Sequence, residues 1–208
     1  MERVIPLLLD AGLEVIAVQN PLTTLVDDAA ATRRALARAT GPVVLAGHSW
    51  AGTVISETGG DDKVSALVYI AARAPDAGED YGALAGGFPA PPASAGLEHA
   101  DGFAQLSEDA FLNDFANGVD ERRARALYAV QGPISDELFS SHTTHAAWHD
   151  KPTFYSISRN DRTTSPELER FLADRMGAHT IELESGHLAM VTHPREVADL
   201  ILLAAGRS

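Results

Sequence analysis

Three side chains in this chain could share one reaction: Ser49, Asp161 and His187. A serine hydroxyl is a poor nucleophile until a base removes its proton during attack. Histidine is the side chain whose unperturbed basicity suits that task near neutral pH. A carboxylate such as Asp161 would hold the imidazole in one tautomer and stabilise the imidazolium that forms. The chemistry of such a set is nucleophilic attack by an activated serine hydroxyl. Taken singly, each residue has a plainer reading: a serine in a strand–turn–helix, an aspartate that forms a turn, a histidine satisfied in a loop. Their combination gains weight from position, because each follows directly on a segment that reads as a strand. Asp76 and Glu79, after an earlier strand, stand in reserve for the acid, and Glu184 is less well placed.

The elements that must carry these residues follow from local pattern. Pro42-Val43-Val44-Leu45-Ala46-Gly47-His48-Ser49 is a short apolar run rich in β-branched residues, and it reads as a buried strand. Trp50-Ala51-Gly52-Thr53-Val54-Ile55 can begin a helix, which puts Ser49 on a sharp strand-to-helix turn, a nucleophile elbow. The usual G-x-S-x-G pattern is met at Gly47 and Ser49; its last place holds Ala51, with Gly52 one step later. His48, within the elbow, is expected to pack behind the serine.

Upstream, residues 3 to 11 read as a helix closed by Gly12, and Leu13–Val18 reads as a strand ended by Asn20-Pro21. Thr24 and Asp27 resemble a capping box ahead of a helix that runs to Ala39. Downstream, Val64–Ala71 is a further buried strand, Thr153–Ser158 another, and Thr180–Leu183 the last. Ser165-Pro166 starts a helix with serine as N-cap and proline in the first turn. Helix and strand alternate, which predicts an α/β fold with a mostly parallel sheet flanked by helices. In such sheets, sites form at the carboxyl ends of the strands.

The alternation stops at Arg73. Residues 73–150 are rich in Gly, Pro and Ala and then in short helical pieces, around 107–115, 120–129 and 135–142. They read as a small helical lid inserted into a core made of residues 1–72 and 151–208. His142, His145 and His149 could share one face of a helix. No carboxylate completes a zinc set there, so the expectation is a lid surface and no metal.

Composition narrows the partners. With 29 acidic against 16 basic residues the formal net charge is −13, which repels nucleic acid and anionic membrane and favours a small-molecule substrate. The absence of cysteine excludes disulfides and thiolate chemistry. No apolar run is long enough to span a bilayer. The first ten residues are too short and too charged for a signal peptide, and the expected location is cytoplasmic.

The stretches Val43–Trp50, Asn160-Asp161-Arg162-Thr163 and Ser185-Gly186-His187-Leu188-Ala189-Met190, in the chain order Ser, Asp, His, resemble the α/β-hydrolase superfamily. The likeness is to its small serine esterase branch, which also holds plant methylesterases and hydroxynitrile lyases. Asp76-Ala77-Gly78-Glu79 is similar to that branch's lid entrance. The resemblance implies hydrolysis of small carboxylic esters through an acyl-enzyme, without a cofactor. Ser49 would be the nucleophile, His187 the base, Asp161 its orienting acid and the Trp50 backbone N–H an oxyanion donor. An apolar acyl or alkyl part would be sheltered by Phe88, Phe103 and Phe111. Two readings compete: a non-catalytic relative that binds a small ligand, and a lyase. The lyases carry a lysine after the catalytic histidine, where this chain has Leu188.

The resemblance also implies a first core strand ending in a His-Gly loop that supplies a second oxyanion N–H. This chain contains no His-Gly dipeptide and starts at the helix that follows that loop in the family. The expectation is a chain incomplete at its N-terminus, weakly active or marginally stable. Losing one oxyanion donor costs on the order of 10² to 10³ in kcat in other enzymes. Without that strand, either a gap opens between Leu13–Val18 and Val43–Ala46 or the two pair directly.

Overall fold

The structure, a computed structural model, describes residues 1–207. Its elements run α1 (Val4–Asp10), α2 (Leu25–Arg38), β1 (Val43–His48), α3 (Ala51–Thr58), β2 (Val64–Ile70), α4 (Tyr81–Ala85), β3 (Leu97–Ala100), β4 (Phe103–Leu106), α5 (Glu108–Ala110), α6 (Glu121–Tyr128), β5 (Ile134–Ser135), β6 (Thr153–Ser158), α7 (Pro166–Arg175), β7 (His179–Leu183), α8 (Ala189–Thr192) and α9 (Pro194–Ala204). The main sheet has the order β1-β2-β6-β7, with every pair parallel. β2 is buried along nearly its whole length, as expected of a strand covered on both faces. One core packs α1, α8 and α9 against the sheet through Val4, Leu8, Val197, Leu200 and Ile201. A second core packs α3 and α7 on Leu67, Tyr69, Tyr155 and Ile157.

Capping follows the sequence. Thr24 Oγ1 accepts the Asp27 N–H at 3.1 Å, and Ser165 caps α7. Gly12 takes φ +78, the left-handed geometry that closes α1.

Leu13–Val18 forms no strand. Leu13 and Val15 still pack on the first core, while Glu14 and Ile16 face outward. The alternation is therefore present, but no neighbouring strand supplies a ladder. β1 likewise pairs only with β2, so the two segments do not pair directly and one edge of β1 is open. The main sheet lacks, among the described residues, the first core strand of the resembled fold.

The excursion between β2 and β6 is less helical than its composition suggests. It contains a three-stranded antiparallel sheet, β3-β4-β5, whose strands are four, four and two residues long. The expected helix over 107–115 is one turn of α5 followed by a π-turn at Phe111–Phe115. Residues 142–149 make no common helix; only Ala147–His149 forms a 3₁₀ turn. His142 binds the Gly78 and Glu79 carbonyls, His145 lies by Glu57, and His149 lies on Trp148 and Asp76.

Candidate active site

The elbow is held by three backbone bonds, two of them to β2 and the chain leaving it and one within the turn itself. Ser49 N–H donates to the Ile70 carbonyl at 3.2 Å, and the Ser49 carbonyl accepts from Gly52 and Arg73, each at 3.1 Å. Within this frame Ser49 has φ +53, a strained left-handed conformation for a residue with a side chain. A β-carbon at Gly47 would lie 2.7 Å from the Ala51 carbonyl oxygen. At Gly52 it would overlap the Arg73 carbonyl oxygen and come within 2.9 Å of the Ala72 β-carbon. The close approach thus falls at Gly52, which explains why Ala51 is tolerated in the motif's last place.

Asp161 lies in the loop after β6. Its Oδ1 accepts the N–H groups of Thr163 and Thr164 at 2.6 and 2.8 Å, an Asx turn that fixes the carboxylate and leaves Oδ2 free for another donor. His187 Nδ1–H donates to that Oδ2 at 2.6 Å, with both side chains wholly buried. Burial pushes the Asp161 carboxyl upward. The His187 charge and hydrogen bond, with the two loop amides, outweigh it and hold the group below the ordinary carboxylate range. The loops carrying the two residues are tied together by Asn160 N–H to the Ser185 carbonyl at 3.0 Å and by the Ser158–Ser185 hydroxyl pair at 3.0 Å.

With Nδ1 donating, neutral His187 has its lone pair on Nε2. That atom is buried and has no hydrogen-bond partner among the described residues. Ser49 Oγ makes no hydrogen bond to it, so two of the three expected residues are in contact and the third lines a cavity whose walls include His48, Thr163, Thr164 and Leu188 beside them. His48 Nε2–H donates to the His187 carbonyl at 3.0 Å, and the two rings lie 4.5 Å apart. Burial, with the nearby His187 charge, lowers the His48 pKa to about 3, so His48 is neutral and braces the loop. Phe115 covers His187, with centroids 5.0 Å apart.

Glu169, on α7, is a site residue that the sequence did not reveal. It is fully buried; Oε2 accepts the Ser158 N–H at 2.9 Å and Oε1 has no partner among the described residues. Burial first, and then the Asp161 charge, raise its pKa well above the usual carboxylate range. The only earlier signal was a glutamate at an apolar helix position, which reads as amphipathic noise. The reserve acids are engaged elsewhere: Glu79 pairs with Arg175, Asp76 with His149 and Glu184 with Arg159.

A cavity of about 700 Å³ opens over Ser49. His48, Trp50, Phe111, Phe115, Leu188 and Met190 are among its walls, and Leu97, Leu106 and Ile134 close it from the antiparallel sheet. Phe88 and Phe103 do not line it. Phe88 packs on Phe171 at 5.4 Å, and Phe103 opens β4 beside the Asp101–Gly102 turn. The Trp50 backbone N–H, at the amino end of α3, has no hydrogen-bond partner among the described residues. Its indole Nε1–H donates to the buried Asp28 at 2.7 Å, which anchors the residue that follows the serine. Among the described residues no group of three His, Asp or Glu side chains could hold a metal ion, and no helix is long and apolar enough to cross a membrane.

The sequence profile of the Alpha/beta hydrolase family matches residues 3–200. The chain belongs to this family. It is similar to Alpha/beta hydrolase nvfD of Aspergillus novofumigatus, 27% identical over 206 residues, covering 90% of this chain and 81% of that one. Among solved structures of α/β-hydrolases it resembles polyneuridine aldehyde esterase, with a TM-score of 0.80 at 19% identity over 98% of this chain and 92% of the other. It also resembles a pyrethroid hydrolase from Sphingobium faniae JZ-2, with a TM-score of 0.78 at 20% identity over 99% and 91%. A methylesterase from Arabidopsis superposes with a TM-score of 0.78 at 16% identity over 99% and 92%. At these identities the structural likeness establishes the fold.

Proposed function

We propose that this α/β-hydrolase cleaves small carboxylic esters through a covalent acyl-enzyme. The observation that carries the reading is the buried His187–Asp161 pair, 2.6 Å apart, under the cavity that also holds the strained Ser49. Ser49 Oγ attacks the ester carbonyl carbon while His187 Nε2 takes its proton. Asp161 keeps Nδ1 protonated and stabilises the imidazolium. The Trp50 N–H donates to the oxyanion. Collapse of the tetrahedral adduct breaks the ester C–O bond, and His187 returns the proton to the departing alcohol. Water, deprotonated by His187, then releases the acid. The apolar cavity wall suits an uncharged acyl or alkyl chain, and the similar structures, esterases and a pyrethroid hydrolase among them, agree with ester chemistry.

A second reading, a ligand-binding relative without turnover, has one observation in its favour: Nε2 of His187 and the Ser49 hydroxyl are not hydrogen-bonded to each other. Hydrolysis of 4-nitrophenyl acetate separates the two. The parent should turn over and be labelled by a fluorophosphonate at Ser49, and Ser49→Ala should lose both. A folded parent that shows neither supports the second reading.

A further inference from the structure

Arg73 has no role in the chemistry above, yet it lines the same cavity as Ser49. Its guanidinium is enclosed by ring faces: 5.4 Å from the Trp50 ring, 5.0 Å from Tyr81 and 5.8 Å from Phe139. Cation–π attraction holds it there. Burial lowers its pKa from the ordinary value, with Tyr81 opposing, but a guanidinium remains charged at any physiological pH. Tyr81 itself is pushed up to about 12 by burial, so it is a neutral phenol and no counter-ion.

Among the described residues the Arg73 guanidinium makes no hydrogen bond and no salt bridge, whereas Arg125, Arg159, Arg170 and Arg175 all meet carboxylates. Five N–H donors in a fixed fork are therefore left to the cavity. An enclosed charge without a partner is costly, and it is relieved by an anion that brings matching acceptors. In a chain of formal net charge −13, such a cation is also a local reversal of the surrounding field.

The base of the side chain is fixed. Arg73 N–H donates to the Ser49 carbonyl at 3.1 Å. The preceding Ala72 is pinned on both sides by the buried Tyr155 hydroxyl, which accepts its N–H at 3.0 Å and donates to its carbonyl at 2.6 Å. A donor held this rigidly loses little freedom when a ligand arrives.

We propose that Arg73 and its three aromatic neighbours form a carboxylate-binding subsite beside Ser49. The favoured ligand is then an ester that carries a second, ionised carboxylate, such as the monoester of a dicarboxylic acid. The carboxylate seats on the guanidinium as a charge-assisted, two-toothed pair, and the uncharged ester end is left for the serine. The ester part of this statement rests on the esterase reading; the anion site does not.

The test measures binding in Ser49→Ala, where turnover is blocked. Calorimetry compares monomethyl glutarate with dimethyl glutarate, which differ by one charge and one methyl group. The monoester should bind at least about tenfold more tightly, as expected for one buried charge-assisted contact. Adding Arg73→Met should reduce that preference to within about threefold, and Arg73→Gln should do the same if the apolar variant fails to fold. Arg73→Lys should keep part of it, since the charge stays but the fork is lost. No binding of the monoester at millimolar concentration, equal binding of the two ligands, or a preference that survives the loss of Arg73 would each overturn the subsite. Fluorophosphonate labelling of the parent is read separately, so a protein that binds the monoester but is not labelled retains the anion site and loses the esterase reading.

Discussion

The α-carbon of Gly52 packs directly on the carbonyl of Arg73, so the helix behind Ser49 and the chain leaving β2 share one contact with no room for a methyl group. Gly52→Ala must push the two apart. It should destabilise the protein by about 1–3 kcal/mol, the usual cost of overpacking, measured as a lower urea midpoint. It should also lower any esterase rate, because the displaced backbone carries the Ser49 carbonyl contact. An unchanged midpoint would show that the contact is loose.

Asp161→Asn should leave the fold intact and reduce kcat by on the order of 10³ to 10⁴, by analogy with the same change in other serine enzymes. Its effect on stability has a definite pH sign. The folded pKa of Asp161 is lowered, so its contribution is present above the unfolded value of about 3.9 and is lost as pH falls through the folded value. The acid side of a urea-midpoint profile should therefore be shallower in the variant than in the parent.

Glu169 works in the opposite direction. Its folded pKa is raised, so its contribution is complete below about 4.3 and declines as pH rises toward the folded value. Each unit of elevation corresponds to about 1.4 kcal/mol. Glu169→Gln keeps the shape of the neutral acid and removes the titration. It should be more stable than the parent above neutrality and nearly equal to it at pH 4, read by the same denaturation series. Identical profiles would mean that Glu169 is ionised in the fold.

Asp28 accepts both the Trp50 indole N–H, at 2.7 Å, and the Leu22 N–H, at 2.9 Å, while fully buried. Asp28→Ala strands two donors, and the cost should be about 2–5 kcal/mol. Trp50 emission should shift as the ring loses its anchor. A loss below about 0.5 kcal/mol, the scale of an ordinary surface change, would mean that water reaches these donors.

The elements that surround the site were legible because each is a local pattern: the apolar run ahead of Ser49, the serine–proline start of α7, and the loops after β6 and β7. Their order placed Ser49, Asp161 and His187 at strand ends, where they lie. Leu13–Val18 was misread because its alternation is real but a strand also needs a neighbour, which no local pattern supplies. The antiparallel sheet was missed because strands of two to four residues are too short to show a period. The aromatic wall was only partly legible: Phe111 lines the cavity, but Phe115, Tyr81 and Phe139 gave no sequence signal that would set them apart from Phe88 and Phe103. Arg73 marks only the end of the alternation in the sequence, and the tertiary arrangement of Trp50, Tyr81 and Phe139 is what encloses it.

The open edge of β1 has a mechanical consequence. Ser49 sits at the end of a strand that is gripped from one side only, like the tip of a cantilever whose sole mount is β2. Every backbone bond that strand makes to its sheet neighbour, and the Ser49–Ile70 and Arg73–Ser49 bonds beyond it, cross the same seam. A brief parting of that seam would carry the serine away from His187, whose loop is mounted independently on β6 and β7. Amide exchange along β1 should then report how often Ser49 is carried away from His187, and whatever stiffens this one seam should hold the two residues in a fixed relation.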